Sequence, residues 1–155
     1  MSRLESHIRR CQAQCKCIER AAVLMSELPG PVLEVGLGNG RTYSHIREYL
    51  PEREIFVFDR RIAAHPDCIP DDDHVFLGEI DETLPLAVER FAGTIPLVHV
   101  DLAPEVILEI AHHLPKLLRP GGIALTQAEA RAEGLTPLEL PEGIAPGRYF
   151  IYRAD

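Results

Sequence analysis

Apolar positions recur along the chain in two rhythms, and these divide it into elements. Between residues 3 and 28, Leu4, Ile8, Cys11, Cys15, Ile18, Ala22 and Met25 are separated by alternating steps of four and three. Those steps line one face of an α-helix, so one long amphipathic helix is predicted there. Pro29, Gly30 and Pro31 end it. The rhythm then shifts to short apolar runs with β-branched or aromatic residues, at 32–35, 55–58, 75–77, 95–100 and 123–126. Each reads as a buried strand. Between them, helices are predicted over 41–50, from an Asp81 or Thr83 cap to Phe91, and from Pro104, as a first-turn proline, to Leu118. A short helix is expected near 128–133. Arg119-Pro120-Gly121-Gly122 reads as a turn, and residues 136–140 and 148–152 as two closing strands. Pro66 and Pro70 leave the connection between the second and third strands irregular.

Strands alternating with helices imply a mostly parallel sheet with helices on both faces and right-handed crossovers. The expected fold class is α/β, doubly wound, preceded by the long N-terminal helix. Residues 1–29 are expected to form a lid or dimer arm and residues 30–155 a ligand-binding domain. In such sheets ligands bind beyond the carboxyl ends of the strands. The unusual residues of this chain fall there: the Gly36–Gly40 turn after the first strand, Asp59 after the second, Glu79 after the third and Asp101 after the fourth.

Length and composition narrow the picture. A chain of 155 residues, 46% hydrophobic and 26% charged, suits one globular domain with a full core. A net charge of −8 argues against general nucleic-acid or anionic-membrane binding, which needs a basic face. No apolar run approaches the ~18 residues of a membrane span. Residues 1–10 hold no secretory leader, so the cytoplasm is the expected home and the four cysteines are expected as reduced thiols. Charge is uneven, however. Arg3, Arg9, Arg10, Lys16 and Arg20 face only Glu5 and Glu19 in the first twenty residues. Such a basic arm either docks on the acidic body of its own domain or of a second copy, or is a solvated helix face. The apolar stripe makes a homodimer through this helix an expectation.

The glycine turn carries the chemistry. Gly36, Gly38 and Gly40 stand between a strand and a helix, where glycine permits positive φ and close approach of a ligand to the backbone. The helix start beyond offers free N–H groups to a carboxylate or phosphate. Asp59, at the tip of the adjacent strand, can accept from both ribose hydroxyls. Together these indicate a cofactor containing a nucleoside. Arg41 stands where the dinucleotide fingerprint needs its last glycine, which disfavours a nicotinamide-dependent oxidoreductase.

Glu34-Val35-Gly36-Leu37-Gly38-Asn39-Gly40 has the acidic-x-Gly-x-Gly-x-Gly form, and Leu118-Arg119-Pro120-Gly121-Gly122 precedes the fifth strand. With Asp59 and Gly78-Glu79-Ile80, these segments resemble the class I S-adenosylmethionine-dependent methyltransferases over about residues 30–153. Within that superfamily the chain is similar to a small bacterial group with a short chain and a final strand of the form Gly147-Arg148-Tyr149-Phe150-Ile151-Tyr152-Arg153. The resemblance implies a Rossmann-like fold and S-adenosyl-L-methionine as cofactor. It also implies cofactor contacts from Glu34, Gly36, Leu37, Gly38, Asn39, Gly40, Asp59, Arg60, Glu79, Ile80 and Asp101. Gly36 to Gly40 would line the methionine end, Asp59 the ribose with Arg60 beside it, and Glu79 and Ile80 the adenine. Asp101 would sit near the cofactor's amino group or the transferred methyl.

Asp101 and His99 are the catalytic candidates, since alternation puts both on one side of the fourth strand; a packing role for His99 is the alternative. No Asn-Pro-Pro-Tyr type tetrapeptide follows that strand, which reads Val100-Asp101-Leu102-Ala103-Pro104. That withdraws support for methylation of amino groups on nucleic acid or glutamine side chains. Little chain is left to build a substrate domain, so a small-molecule acceptor is expected. A second function class stays open: the same fold binding the cofactor or adenosylhomocysteine without chemistry, as a partner subunit. No residues are assigned to a metal. Cys11, Cys15 and Cys17 lack the spacing of a radical-enzyme cluster, and His112 and His113 are neighbours that face apart. The His65–His74 loop reads as a solvated acidic loop.

Overall fold

The computed structural model describes residues 1–155. Five parallel strands form the body of the sheet: β1 (Val32–Val35), β2 (Ile55–Asp59), β3 (Val75–Leu77), β4 (Ile95–Val100) and β5 (Leu118–Thr126). β6 (Leu135–Pro137) and β7 (Phe150–Ala154) close one edge, with β7 antiparallel to both neighbours. The order is β3-β2-β1-β4-β5-β7-β6, so the sheet winds outward in both directions from β1 and β4. That reversal of winding opens a crevice at the carboxyl ends of β1 and β4.

The central strands are buried on both faces, as their unbroken apolar runs require. Leu33, Val35, Phe56, Phe58, Val98 and Val100 point to one side. There they meet α3 (Ile80–Phe91), α4 (Pro104–Ile110) and α5 (Leu114–Leu117). Val32, Ile55, Val57, Leu97 and Ile123 point to the other, against α1 (Arg3–Leu24) and α2 (Arg41–Tyr49). Each such side chain contributes about 1.5–3 kcal/mol when fully buried.

Helix α1 starts in a capping box: Glu5 N donates to Ser2 Oγ at 3.1 Å and Ser2 N to Glu5 Oε2 at 2.6 Å. Its buried face matches the expected one at Ile18, Ala22 and Met25 and departs from it toward the N-terminus. Ala13, Cys17, Ile18, Ala21 and Met25 pack on the sheet, whereas Leu4 is 68% and Ile8 47% exposed. Small side chains let the helix lie close to the flat sheet, which takes this stripe in preference to the larger residues beside it.

Other departures have equally local causes. The expected turn at Arg119–Gly122 lies within β5 as a bulge, since Ile95 pairs with Leu118 and Leu97 with Ile123. A Cβ on Gly122 would sit 2.8 Å from Ile95 O, so only glycine lets the chain return there. The helix expected from Pro104 breaks into α4, a 3-10 turn at Ala111–His113 and α5. Pro115 lacks the N–H that would continue it. Helix α3 begins at Ile80 with Glu79 as its cap residue, not Asp81 or Thr83; Thr83 Oγ1 donates back to Glu79 O. No helix forms at 128–133, where Ala130 N donates to the Tyr152 hydroxyl instead of to a helical carbonyl. No helix of the molecule is long and apolar enough to cross a membrane.

Candidate functional site

The carboxyl ends of β1, β2 and β4 and the first half of α1 enclose the crevice. The loop from Gly36 to Gly40 crosses its floor. Gly36 is buried at φ 93°, and a Cβ there would lie 2.4 Å from Asp101 O. The loop therefore presses against the end of β4 where only glycine fits. Gly38, at φ 54°, faces open space, with nothing within 4 Å of a Cβ position. Its backbone is bare toward the crevice. Gly40 caps α2. Asn39 Oδ1 accepts from Arg41 N and Nε, both at 3.1 Å, and holds the turn from outside.

Asp59 ties this loop to β2. Its Oδ2 accepts from Leu37 N and Gly38 N at 3.1 Å, and its Oδ1 from Arg60 N at 2.7 Å. Two cavities lie about it, one lined by Asp59 itself and the other by Leu37 and Gly38, whose N–H groups it holds. One, of about 330 Å3, is lined by Phe58, Asp59, Arg60, Glu79, Ile80 and Leu102, among others. It is largely apolar, with the Glu79 carboxylate, free of any capping bond, at its rim. The second, of about 180 Å3, is polar and is bounded by Leu37 to Asn39, Thr42, Asp101 and the α1 residues His7, Arg10 and Gln14. Arg10 Nη2 lies 3.2 Å from Asp101 Oδ1 and also donates to Gln127 Oε1. Their side chains are 47% and 28% exposed, so the ion pair is worth about 0–1 kcal/mol and can open without unfolding anything.

Of the expected residues, then, Leu37, Gly38, Asn39, Asp59, Arg60, Glu79, Ile80 and Asp101 all line the crevice. Gly36 and Gly40 are buried and shape the loop from within. Glu34 and His99 behave differently. Both are fully buried and line neither cavity. They are paired across β1 and β4, on the α1 face of the sheet. Glu34 Oε1 meets His99 Nδ1 at 2.5 Å, Thr42 Oγ1 donates to Glu34 Oε2 at 2.9 Å, and His99 Nε2 meets the buried Tyr149 hydroxyl. Every side-chain polar atom of this four-residue network is thus partnered, as burial demands. Any influence of Glu34 on a ligand passes through Thr42, which sits in the first turn of α2 and lines the polar cavity.

The charges in this chain follow from their setting. Burial alone pulls the His99 imidazole down. The Glu34 carboxylate, with Asp101 adding to it, outweighs that pull and leaves it above its ordinary value. Burial, and then the Asp101 and Glu34 charges, push the Tyr149 phenol well above its usual range, so it stays protonated.

The sequence assigned no site role to His7, Arg10, Gln14, Thr42, Gln127 or Tyr149. The uneven charge was the one available signal for Arg10: the basic arm docks on its own domain, through Asp101. Cys11, Cys15 and Cys17 sit apart in environment, Cys17 buried and Cys15 exposed.

The model of a family described as S-adenosyl-L-methionine methyltransferase matches residues 1–154. A crystal structure of an S-adenosyl-L-methionine methyl transferase from Silicibacter pomeroyi DSS-3 is 42% identical, covering 100% of this chain and 99% of that one, with a TM-score of 0.95. The Burkholderia thailandensis 1,6-didemethyltoxoflavin-N1-methyltransferase, solved with 1,6-didemethyltoxoflavin and S-adenosylhomocysteine, is 16% identical. The match covers 90% of this chain and 79% of that one, with a TM-score of 0.53, and reflects the shared fold. Among curated proteins no sequence matches the chain. Motif, topology and a family match over nearly the whole length converge: the chain belongs to the S-adenosyl-L-methionine methyltransferase family.

Proposed function

We propose that this methyltransferase acts on a small-molecule acceptor and that its cofactor spans the two cavities about Asp59. The observation that carries the reading is the division of the crevice. One side is polar and ends at Asp101, the other is apolar with Glu79 at its rim, and a backbone-held carboxylate stands between them. S-adenosyl-L-methionine is itself divided in that way, into an amino-acid end, a ribose and an adenine. The bare backbone at Gly38 supports the fit, since a side chain there would stand in the crevice.

In this reading Gly38 and Asn39 line the methionine end, with Leu37. Asp101 accepts from the cofactor's amino group, with Arg10 holding one of its oxygens in place. Asp59 accepts from the ribose with the Oδ1 lone pair that its three backbone donors leave free, and Arg60 flanks it. Glu79 accepts from the adenine amino group and Ile80 packs on the ring. Gly36, Gly40 and Glu34 act from behind, the first two by shaping the loop and Glu34 by anchoring Thr42. His99 is a positioning residue: its ring fixes the Glu34 carboxylate and has no path to an acceptor.

When bound, the cofactor supplies an electrophilic methyl group on a sulfonium, so the chain's task is to bind, orient and exclude water. The reaction is an in-line transfer to an acceptor entering beside Asp101. The short connections around the crevice leave room for a small acceptor and build no surface for a large one.

We propose in addition that the exposed Leu4 and Ile8 of α1 serve a homodimer, and that the protein works in the reducing cytoplasm, where Cys11 and Cys15 stay as thiols.

The test is calorimetric titration with S-adenosylhomocysteine. Asp59→Ala is expected to weaken binding by about 1–3 kcal/mol, because it removes both the ribose contact and the loop's anchor. Asp101→Asn is expected to lower turnover and cofactor affinity. Wild-type affinity in both variants would place the cofactor elsewhere.

A further inference from the structure

A wider hollow adjoins the polar cavity on the far side of Arg10. Its volume is about 470 Å3, and its walls are Arg10, Pro104, Gln127, the turn at 145–147 and Arg148. We propose that this hollow is the acceptor pocket and that it selects an acceptor bearing an oxyanion, a carboxylate or a phosphate. The proposal rests on the cofactor placement above.

The charge of the lining carries the inference. In a protein of net charge −8, this hollow is lined by two guanidinium groups and no carboxylate. The two arginines differ in how far they are already engaged. Arg10 is bound to Asp101 and Gln127, and it lines both this hollow and the polar cavity. It marks the boundary across which acceptor and cofactor would meet. Arg148 has only neutral partners: its Nη1 donates to Ser6 Oγ at 3.1 Å and to Ser6 O at 3.4 Å. Its charge is uncompensated, and its Nη2 and Nε are left to make a two-pronged contact with an oxyanion.

The rest of the wall sets position. Gln127 is fixed at both ends, with Nε2 donating to Leu102 O and Oε1 accepting from Arg10. It therefore holds Arg10 at a constant reach from the end of β5. The apolar part of the wall is limited to the small residues Pro104, Ala145 and Pro146 and no lining residue is aromatic, so the pocket offers no stacking surface to a neutral ring. Cationic walls in an otherwise acidic molecule also draw anions selectively toward the site.

The experiment uses the full chain, labelled with nitrogen-15 and saturated with S-adenosylhomocysteine, and follows backbone amides by NMR. Glycolate is titrated against its neutral counterpart glycolamide, and glycerol phosphate against glycerol. The amides of Gln127, Gly147 and Arg148 are expected to move with at least one of the two anions, at millimolar affinity or better. The matching neutral compound should bind at least tenfold more weakly. Which pair responds tells carboxylate from phosphate. Arg148→Gln should weaken the anion tenfold or more, Arg148→Lys should retain only part of the binding, since it keeps the charge and loses the two-pronged fork, and Gln127→Glu should abolish it by placing a negative charge in the wall. Affinity for S-adenosylhomocysteine should stay within twofold in the Arg148 variants, which also shows that they fold. The proposal is overturned if neither anion moves these amides, if the neutral compounds bind as well, or if Arg148→Gln binds like the wild type. Failure of the cofactor placement looks different: S-adenosylhomocysteine itself would leave the amides of Gly38, Gly40 and Glu79 unmoved.

Discussion

At the scale of single residues, the deepest commitment of the molecule is the buried chain from Thr42 through Glu34 and His99 to Tyr149. Removing one partner of a buried charged pair typically costs about 3–5 kcal/mol, because the other is stranded. Glu34→Ala should therefore lower unfolding free energy by about 3 kcal/mol or more, measured by urea titration. The His99 proton adds a pH dependence of known sign. Its folded-state pKa lies above the ordinary histidine value, so its stabilising contribution is complete below about pH 6.5 and fades as pH rises through the folded value. The stability gap between wild type and His99→Gln should be widest near pH 6 and should narrow toward pH 9. A gap that widened with pH would mean that the imidazole is held neutral.

The glycine loop separates two kinds of constraint at neighbouring sites. Gly36→Ala forces a Cβ against Asp101 O in a left-handed backbone, and should destabilise the fold by about 3 kcal/mol. Gly38→Arg has room for its side chain, so the protein should fold, with a thermal midpoint within a few degrees of wild type, yet lose binding of S-adenosylhomocysteine. Calorimetry and thermal melts on both variants would separate folding from binding. This much of the site was legible in the sequence, because a strand-loop-helix glycine turn admits few shapes. The partners of Glu34 and His99 were not. Thr42 and Tyr149 carry no local signature, and only the register of β1 against β4 makes the pair.

At the scale of elements, the strands were readable because each is a compact apolar run buried on both faces. Helix α1 shows where such reading stops. Hydrophobic periodicity weighs Leu4 and Ile8 heavily and Ala13 and Ala21 hardly at all, but close packing on a sheet rewards small residues. The cysteines of α1 report the true orientation. Burial raises the Cys17 thiol to about 12, while Cys15 is exposed. Iodoacetamide at pH 8 should alkylate native protein at Cys15 well before Cys17, read by peptide mass spectrometry. Equal labelling would mean that the helix leaves the sheet. The missing helix at 128–133 and the bulge in β5 were illegible for a different reason. Each depends on a partner distant in sequence, Tyr152 in one case and Ile95 in the other.

For the whole molecule, the open question of assembly follows from α1 as well. Its outer stripe leaves Leu4 and Ile8 in water, which suits a second copy packed along the same helix. Light scattering at tens of micromolar should give a mass near twice 17.3 kDa, and Leu4→Glu with Ile8→Glu should return it to the monomer. A monomeric wild type would leave the stripe as exposed surface. The overall charge, by contrast, was silent on the crevice. Basic side chains gather there from α1 and the β6–β7 connection, segments far apart in the sequence.

The course of α1 also bears on how the protein is handled. Its opening turn brings Ser6 against Arg148, beside the crevice, whereas β7 runs back along β5 and sets Ala154 down at the opposite end of the sheet. An affinity tag or fusion partner fixed ahead of Ser2 would hang over the mouth, while the same appendage after Asp155 would trail from the far side and leave the entrance clear.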